Sequence, residues 1–341
     1  MNEPTNKQLL ITGASGFIGS AFCNYPGISG YALRVLLRAP LDSFQLNLDT
    51  YQDLTQELAQ KLKNAQTVEP VAGSLLEIQS LRDACRNVDT VVHLASVAHV
   101  SPARSDSTEQ VIVEGTRNLL TAAIENKVRR FVYVSSSLAQ VVADNGVDIT
   151  AYGWYKYSAE VLLLEAQKRG EIEVVIVRPV NVYGPGMKGN IASMISLVMR
   201  QRLPPLPVLD ARLSLVGVED VCQALQLAIE CRQAAGRTYT VTDGQAYRIS
   251  DIEAAIYRSL GKRFPRWRTP RVVLFAASLI AGMVALVRGR GTGIGLRTYR
   301  NVTTDNLFDN TAICQELGFT PRTTFYQELP SIIAKISQQN N

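Results

Sequence analysis

The sequence predicts an α/β fold in which a doubly wound parallel sheet carries a smaller C-terminal lobe. Three observations predict it. Short apolar runs alternate with segments of helical period from the N-terminus onward; a glycine-rich turn separates the first run from the first helix; and Tyr152 and Lys156 stand four residues apart just after a serine-rich strand end. Alternation of this length favours parallel strands joined by right-handed crossovers. At 341 residues the chain has room for one large unit with a second lobe. Hydrophobic residues make up 46% and charged ones 19%, with no low-complexity tract, so disorder is expected only at the two termini.

Residues 8–12 are a short apolar run that stops at Gly13 and passes through Ala14, Ser15, Gly16, Phe17, Ile18 and Gly19 into a helix. A strand, a tight glycine turn and a helix in that order make a dinucleotide site of the NAD(P)-binding Rossmann type. Glycines let the backbone approach the pyrophosphate, and the helix N-terminal amides hold its charge. Gly13, Ser15, Gly16, Phe17, Ile18 and Gly19 are therefore candidate cofactor-binding residues. Residues 33–37 read as the second strand, ending at Arg38. An acid there would bind the ribose hydroxyls, whereas an arginine accepts a 2′-phosphate, so the cofactor reading leans to NADP over NAD. A solvated arginine beside an NAD site is the alternative. The formal charge of +5 rests on 26 Arg against 9 Lys, which suits bidentate contacts to phosphate-bearing ligands. The basic residues are scattered and carry no nucleic-acid motif, so no nucleic-acid partner is expected.

Residues 41–63 read as a loop plus a helix, 68–72 as the third strand and 89–95 as the fourth. His93 and His99 lack metal-ligand geometry, and His93 reads as a structural residue near the cofactor pocket. Residues 109–125 have helical period. Residues 129–137 form a buried strand opening into Ser135, Ser136 and Ser137, at the carboxyl end where such sheets bind ligands. Ser137 is a candidate hydrogen-bond donor to a reacting oxygen, with a serine-rich turn as the alternative. On the helix that follows, Tyr152 and Lys156 lie one turn apart on the same face, and an ammonium beside a phenol favours the phenolate. About 0.3 such pairs are expected by chance in a chain with 13 Tyr and 9 Lys, so the pair gains its meaning from the glycine turn and the serines around it.

Together, residues 12–19, 89–95, Ser137 and 152–160 resemble the extended short-chain dehydrogenases/reductases, the NAD-dependent epimerase/dehydratase family. The run from Arg178 to Asn190 is similar to the segment where that group passes from the cofactor sheet to the substrate lobe. Residues 93–100, 182–190, 242–244 and 317–321 most resemble bacterial 4-ketoreductases that make UDP-N-acetyl-6-deoxyhexosamines and related UDP-hexosamine 4-epimerases. The resemblance covers residues 8–335. It implies an oxidoreductase acting at carbon 4 of a nucleotide sugar in surface polysaccharide precursor synthesis. Tyr152 would be the acid/base, Lys156 would hold the nicotinamide ribose and lower the tyrosine pKa, and Ser137 would orient the same oxygen. Leu94 and Ala95 would touch the cofactor, while Asn181, Asn190 and Arg212 would face the sugar nucleotide. A homodimer is the expected assembly. The division implied is 1–178 plus 213–241 for the dinucleotide domain and 179–212 plus 242–341 for the substrate lobe. The chain departs from the group's pattern at Ile112, at Ser74, where an aspartate is usual, and at Leu213, where an arginine commonly binds UDP.

Residues 272–287 hold no charge and are framed by arginines. A helix of that length spans about 24 Å, short of the roughly 30 Å hydrocarbon core of a bilayer. A lid or core helix of the sugar lobe, an interfacial membrane contact and a subunit contact remain, and the resemblance favours the first. This segment also motivates an alternative function, a hydroxysteroid or lipid-alcohol dehydrogenase of the same fold. A non-catalytic NADP-sensing protein is the alternative from another class, opposed by the joint presence of Tyr152, Lys156 and Ser137. The five cysteines form no CxxC or Cys/His cluster, which indicates neither metal site nor disulfide framework. The N-terminus is polar and runs directly into a strand, so a cytoplasmic protein is expected.

Overall fold

A computed structural model describes residues 7–38, 68–96, 108–147, 149–287, 299–300 and 302–340, with backbone alone considered at 281–287 and 339–340. The expected loop and helix at 41–63, together with His99, fall outside the described residues. The larger unit runs β1 (Gln8–Thr12), α1 (Phe17–Asn24), β2 (Ala32–Leu37), β3 (Val68–Ala72), α2 (Ile78–Ala84), β4 (Thr90–His93), a π-turn at Gln110–Glu114 leading into α3 (Gly115–Glu125), and β5 (Arg130–Val134). It continues with α4 (Ser137–Ala143), α5 (Ala151–Lys168) and β6 (Glu173–Pro179). After β7 (Asn181–Tyr183), α6 (Asn190–Met199) and β8 (Arg212–Gly217), the chain adds α7 (Val218–Glu230) and β9 (Thr238–Val241) to that unit. It then forms β10 (Ala246–Arg248), α8 (Ile249–Ser259), α9 (Arg271–Val287), α10 (Thr311–Leu317) and α11 (Phe325–Asn340).

Seven strands in the order β3-β2-β1-β4-β5-β6-β9 form one sheet, parallel throughout. Its central strands β4 and β5 are buried on both sides because helices cover both faces. Leu9 and Ile11 of β1 join one core with Phe22 of α1 and Val221 and Leu225 of α7, while Leu10 between them joins the other with Leu119 of α3 and Leu163 of α5. This period-two division buries Leu9, Leu10, Ile11 and Thr12 of β1 on both faces. The order reverses between β1 and β4, opening a crevice beyond the carboxyl ends of those strands, the usual ligand site of such sheets.

A second, three-stranded sheet, β10-β8-β7, sits over a separate core containing Tyr183, Leu215, Tyr247 and Phe325. Residues 212–217, read from the sequence as part of the dinucleotide unit from 213, form a strand that pairs with β7 (Asn181 opposite Leu215), and α7 follows from Val218. An apolar run such as Ser214–Gly217 reads alike for either sheet, and only its partner strand decides. At the join, the buried Asp243 carboxylate accepts from the Tyr183 and Tyr247 hydroxyls at 3.0 and 2.6 Å.

Candidate active site

The glycine turn shows why glycine is needed. Gly13 has φ +75°, and a Cβ there would lie 2.5 Å from the Ala95 nitrogen; a Cβ on Gly19 would lie 2.1 Å from the Gly13 carbonyl oxygen. Side chains at either position would drive apart β1, α1 and the segment after β4. Gly16 stands at the N-cap of α1 and offers no capping side chain. The first amides of the helix are thus left to face a ligand. This cradle fits a dinucleotide diphosphate, with Ser15, Phe17 and Ile18 on its rim. Arg38 follows β2 and is exposed. Ser74 is turned inward on its own loop, its hydroxyl accepting from the Leu76 amide at 3.3 Å.

The floor of the crevice is held by His93. It is buried, and its neighbours settle its tautomer. The Thr116 hydroxyl donates to the Ile112 carbonyl at 2.5 Å, so it accepts from His93 Nε2 at 3.1 Å. Nδ1 then accepts from the Thr12 hydroxyl at 2.6 Å, and the same Thr12 oxygen accepts from the Ala95 amide at 3.3 Å. One relay of hydrogen bonds therefore ties α3 to β1 and to the Leu94–Ala95 backbone. Burial, reinforced by the nearby Lys156 charge, lowers the His93 pKa to about 3, so the ring is neutral at ordinary pH. The structural role read from the sequence is the one this geometry provides.

Tyr152 and Lys156 sit in the first two turns of α5, whose start is capped by the Thr150 hydroxyl accepting from the Gly153 amide at 2.7 Å. Gly153 permits a close approach to the preceding helix: a Cβ there would stand 2.5 Å from the Leu138 carbonyl oxygen. That contact packs the first turn of α5 against α4, whose first residue is Ser137. Ser136 caps α4 by accepting from the Leu138 amide, and the Ser135 hydroxyl is buried without a partner at the end of β5. Ser137 itself is buried.

The Tyr152 hydroxyl lies 3.4 Å from the Ser96 hydroxyl. Burial raises the Tyr152 pKa, and the Ser96 hydrogen bond opposes the rise. The shift thus runs opposite to the lowering expected from Lys156. The Lys156 ammonium is buried, donates to the Val134 carbonyl at 2.8 Å and lies 4.6 Å from the centre of the Tyr133 ring. Burial lowers its pKa to about 7, against the raising influence of Glu160 one turn on. Glu160 is in turn clasped through both carboxylate oxygens by Arg178 of β6. Sequence reasoning passed over Ser96, Gly153 and the Glu160–Arg178 pair; the spacing of Lys156 and Glu160 on one helix face was the available signal for the last.

The proposed substrate residues are less gathered. Asn181 is exposed on β7, and Asn190 opens α6 behind Gly189, which has φ +105°. The Arg212 guanidinium is engaged by Asp305 at 2.7 and 3.1 Å. Among the described residues, no group of three or more His, Cys, Asp or Glu side chains could hold a metal ion, and no helix is long and apolar enough to cross a membrane.

The chain is 27% identical over 287 residues to UDP-glucose 4-epimerase of Vibrio cholerae, covering 77% of this chain and 78% of that one. It is 22% identical over 334 residues to N-acetyl-alpha-D-glucosaminyl-diphospho-ditrans,octacis-undecaprenol 4-epimerase of Escherichia coli O157:H7, covering 95% and 93%. The crystal structure of gox2253 superposes with a TM-score of 0.75 at 25% identity over 98% of this chain and 99% of that one. A family model matches residues 9–242, from β1 through the end of β9, and the chain accordingly belongs to the NAD dependent epimerase/dehydratase family, as an NAD(P)-dependent enzyme.

Proposed function

We propose that this enzyme acts at carbon 4 of a nucleotide sugar, as a 4-ketoreductase or 4-epimerase of a UDP-N-acetylhexosamine type substrate that feeds surface polysaccharide precursors. The observation that carries the reading is the Tyr152 hydroxyl on α5 lying 3.4 Å from Ser96, the residue after the Ala95 backbone that packs against Gly13, with Lys156 buried one turn further along the helix. The nicotinamide supplies the hydride chemistry. What remains for the chain is to hold the sugar oxygen and move its proton. Tyr152 exchanges that proton through its hydroxyl, with Ser96 and Ser137 orienting the same oxygen. Lys156, with a pKa of about 7, reaches both protonation states near neutral pH and steadies the site from the Val134 side. Arg38 supports NADP(H), and with it reduction over epimerisation, because an epimerase regenerates its cofactor within each turnover.

A second reading has its own support. The relative that matches 95% of this chain has a name specifying a lipid-linked diphosphosugar, and α9 exposes an apolar face beside the smaller lobe. The substrate's diphosphate would then carry a polyprenyl chain in place of uridine.

The test is NADPH oxidation with a panel of UDP-4-keto-6-deoxy-N-acetylhexosamines, run beside epimer analysis of UDP-N-acetylhexosamines and of a polyprenyl-diphosphate sugar. Tyr152→Phe should abolish turnover and leave dinucleotide binding near the wild-type value, since only the proton carrier is removed. Full activity in that variant, or no turnover of any of these sugars by the wild type, would sink the proposal.

A further inference from the structure

We infer that α9 and the segment leading into it form a docking surface for an anionic lipid bilayer. The helix is attached by one stripe. Leu274 packs against the small cluster of Leu209, Ala211 and Ile249, and Ser278, one turn on, is buried. Phe275 beside Leu274 meets the Tyr299 ring edge-on at 5.3 Å, whereas away from this stripe the described turns are apolar and open to solvent: Val272 is 75% exposed, Val273 52% and Ile280 56%. A helical register places Val272, Ala276 and Ile280 opposite the Leu274–Ser278 stripe, so the apolar face points away from the protein. At 17 residues the helix is about 26 Å long, too short for a bilayer core, and its attachment along one side suits a helix lying in the plane of a membrane surface.

Charge complementarity selects the occupant. Residues 254–287 contain six basic residues and no acidic ones; the remaining chain has 29 basic against 30 acidic, so this one segment accounts for the protein's net positive charge. Arg258, Arg263, Arg266 and Arg271 are exposed. Acids do reach this collar from neighbouring elements: Glu253 binds Arg268, and the exposed Asp210 lies 3.5 Å from Arg271. Trp267, 60% exposed, stands four residues before the helix and lines a groove of about 530 Å³ with Arg202, Lys262 and Arg263. An exposed indole four residues ahead of an aliphatic helix, with guanidinium groups beside it, is the chemistry of the interface between headgroups and acyl chains.

Two other occupants fit less well. In a two-fold dimer the same patch would meet itself and bring the six cations of one copy against those of the other. A nucleic acid would meet the arginines but leave the valines and isoleucine without an apolar partner. The inference is independent of the sugar proposed above, because its test requires no substrate.

The test is co-sedimentation of the full chain with vesicles of phosphatidylcholine alone and of phosphatidylcholine containing about one-third phosphatidylglycerol. Binding to the anionic vesicles should be at least about tenfold stronger and should weaken as salt is raised. The double variant Val273→Asp/Ile280→Asp changes only exposed side chains and should lower anionic-vesicle binding at least about tenfold, with unfolding midpoint and dinucleotide affinity retained. Arg263→Glu/Arg266→Glu should remove the preference for anionic vesicles. Absence of binding, or equal binding to both vesicles, would overturn the inference. So would vesicle binding unchanged in the aspartate variant while sedimentation velocity shows that a wild-type dimer has become a monomer, which would assign the face to a second copy of the chain.

Discussion

Acid should loosen this fold through His93, and the size of the effect follows from where the ring sits. The imidazole is buried between Thr12 and Thr116, with a pKa lowered from 6.5 to about 3 by burial first and by Lys156 second. Between those two values the unfolded chain holds a proton on this residue and the folded chain does not. Stability from this source is therefore complete above about pH 6.5 and is lost as pH falls towards 3. At about 1.36 kcal/mol per pH unit, the loss is about 2 kcal/mol by pH 5 and about 4–5 kcal/mol at the acid limit. The control is His93→Gln, whose amide can still donate to one threonine and accept from the other but does not titrate. Urea unfolding from about pH 7.5 to pH 5 should show the wild type losing about 2 kcal/mol more than the variant, whatever their offset at neutral pH. Carboxylates and any other histidine contribute equally to both proteins and drop out of the difference. Equal losses would refute the assignment of a neutral, desolvated ring, and with it the relay that anchors Ala95.

Gly153→Ala tests the close approach of α5 to α4. Alanine normally stabilises a helix interior over glycine by about 1 kcal/mol, but here its Cβ would stand 2.5 Å from the Leu138 carbonyl oxygen. The clash should win, with a net destabilisation of about 1–3 kcal/mol in urea unfolding and reduced turnover as the first turn of α5, which bears Tyr152, is displaced; a more stable variant would refute the packing argument. Arg38→Asp should weaken NADPH binding at least about tenfold while changing NADH binding little, as read by fluorescence titration, and equal loss for both cofactors would show that Arg38 does not meet the 2′-phosphate.

The strand–turn–helix start, the serine-bearing end of β5 and the Tyr152–Lys156 turn were legible from the sequence because each is local. A glycine forced to φ +75°, an alternation of strand and helix, and an i,i+4 pair are all written within a few residues of one another. The apolar runs 9–11 of β1 and 131–134 of β5 likewise announced buried strands. What tertiary structure alone decided are the relations between distant segments. Ser96 reaches Tyr152 across 56 residues, and Thr12 reaches His93 across 81. The membership of β8 in the small sheet depends on its partner β7, and the engagement of Arg212 depends on Asp305, 93 positions away. The direction of the Tyr152 shift belongs here too: spacing placed a cation one turn away, but the fold gave that ammonium to the Val134 carbonyl and buried the phenol. Local chemistry could nominate Tyr152 as a candidate because candidacy depends on residue type and helical period. Its pKa, its partners and the surface that α9 presents depend on desolvation and on which side of each element the rest of the chain covers, and those exist only once the chain has folded.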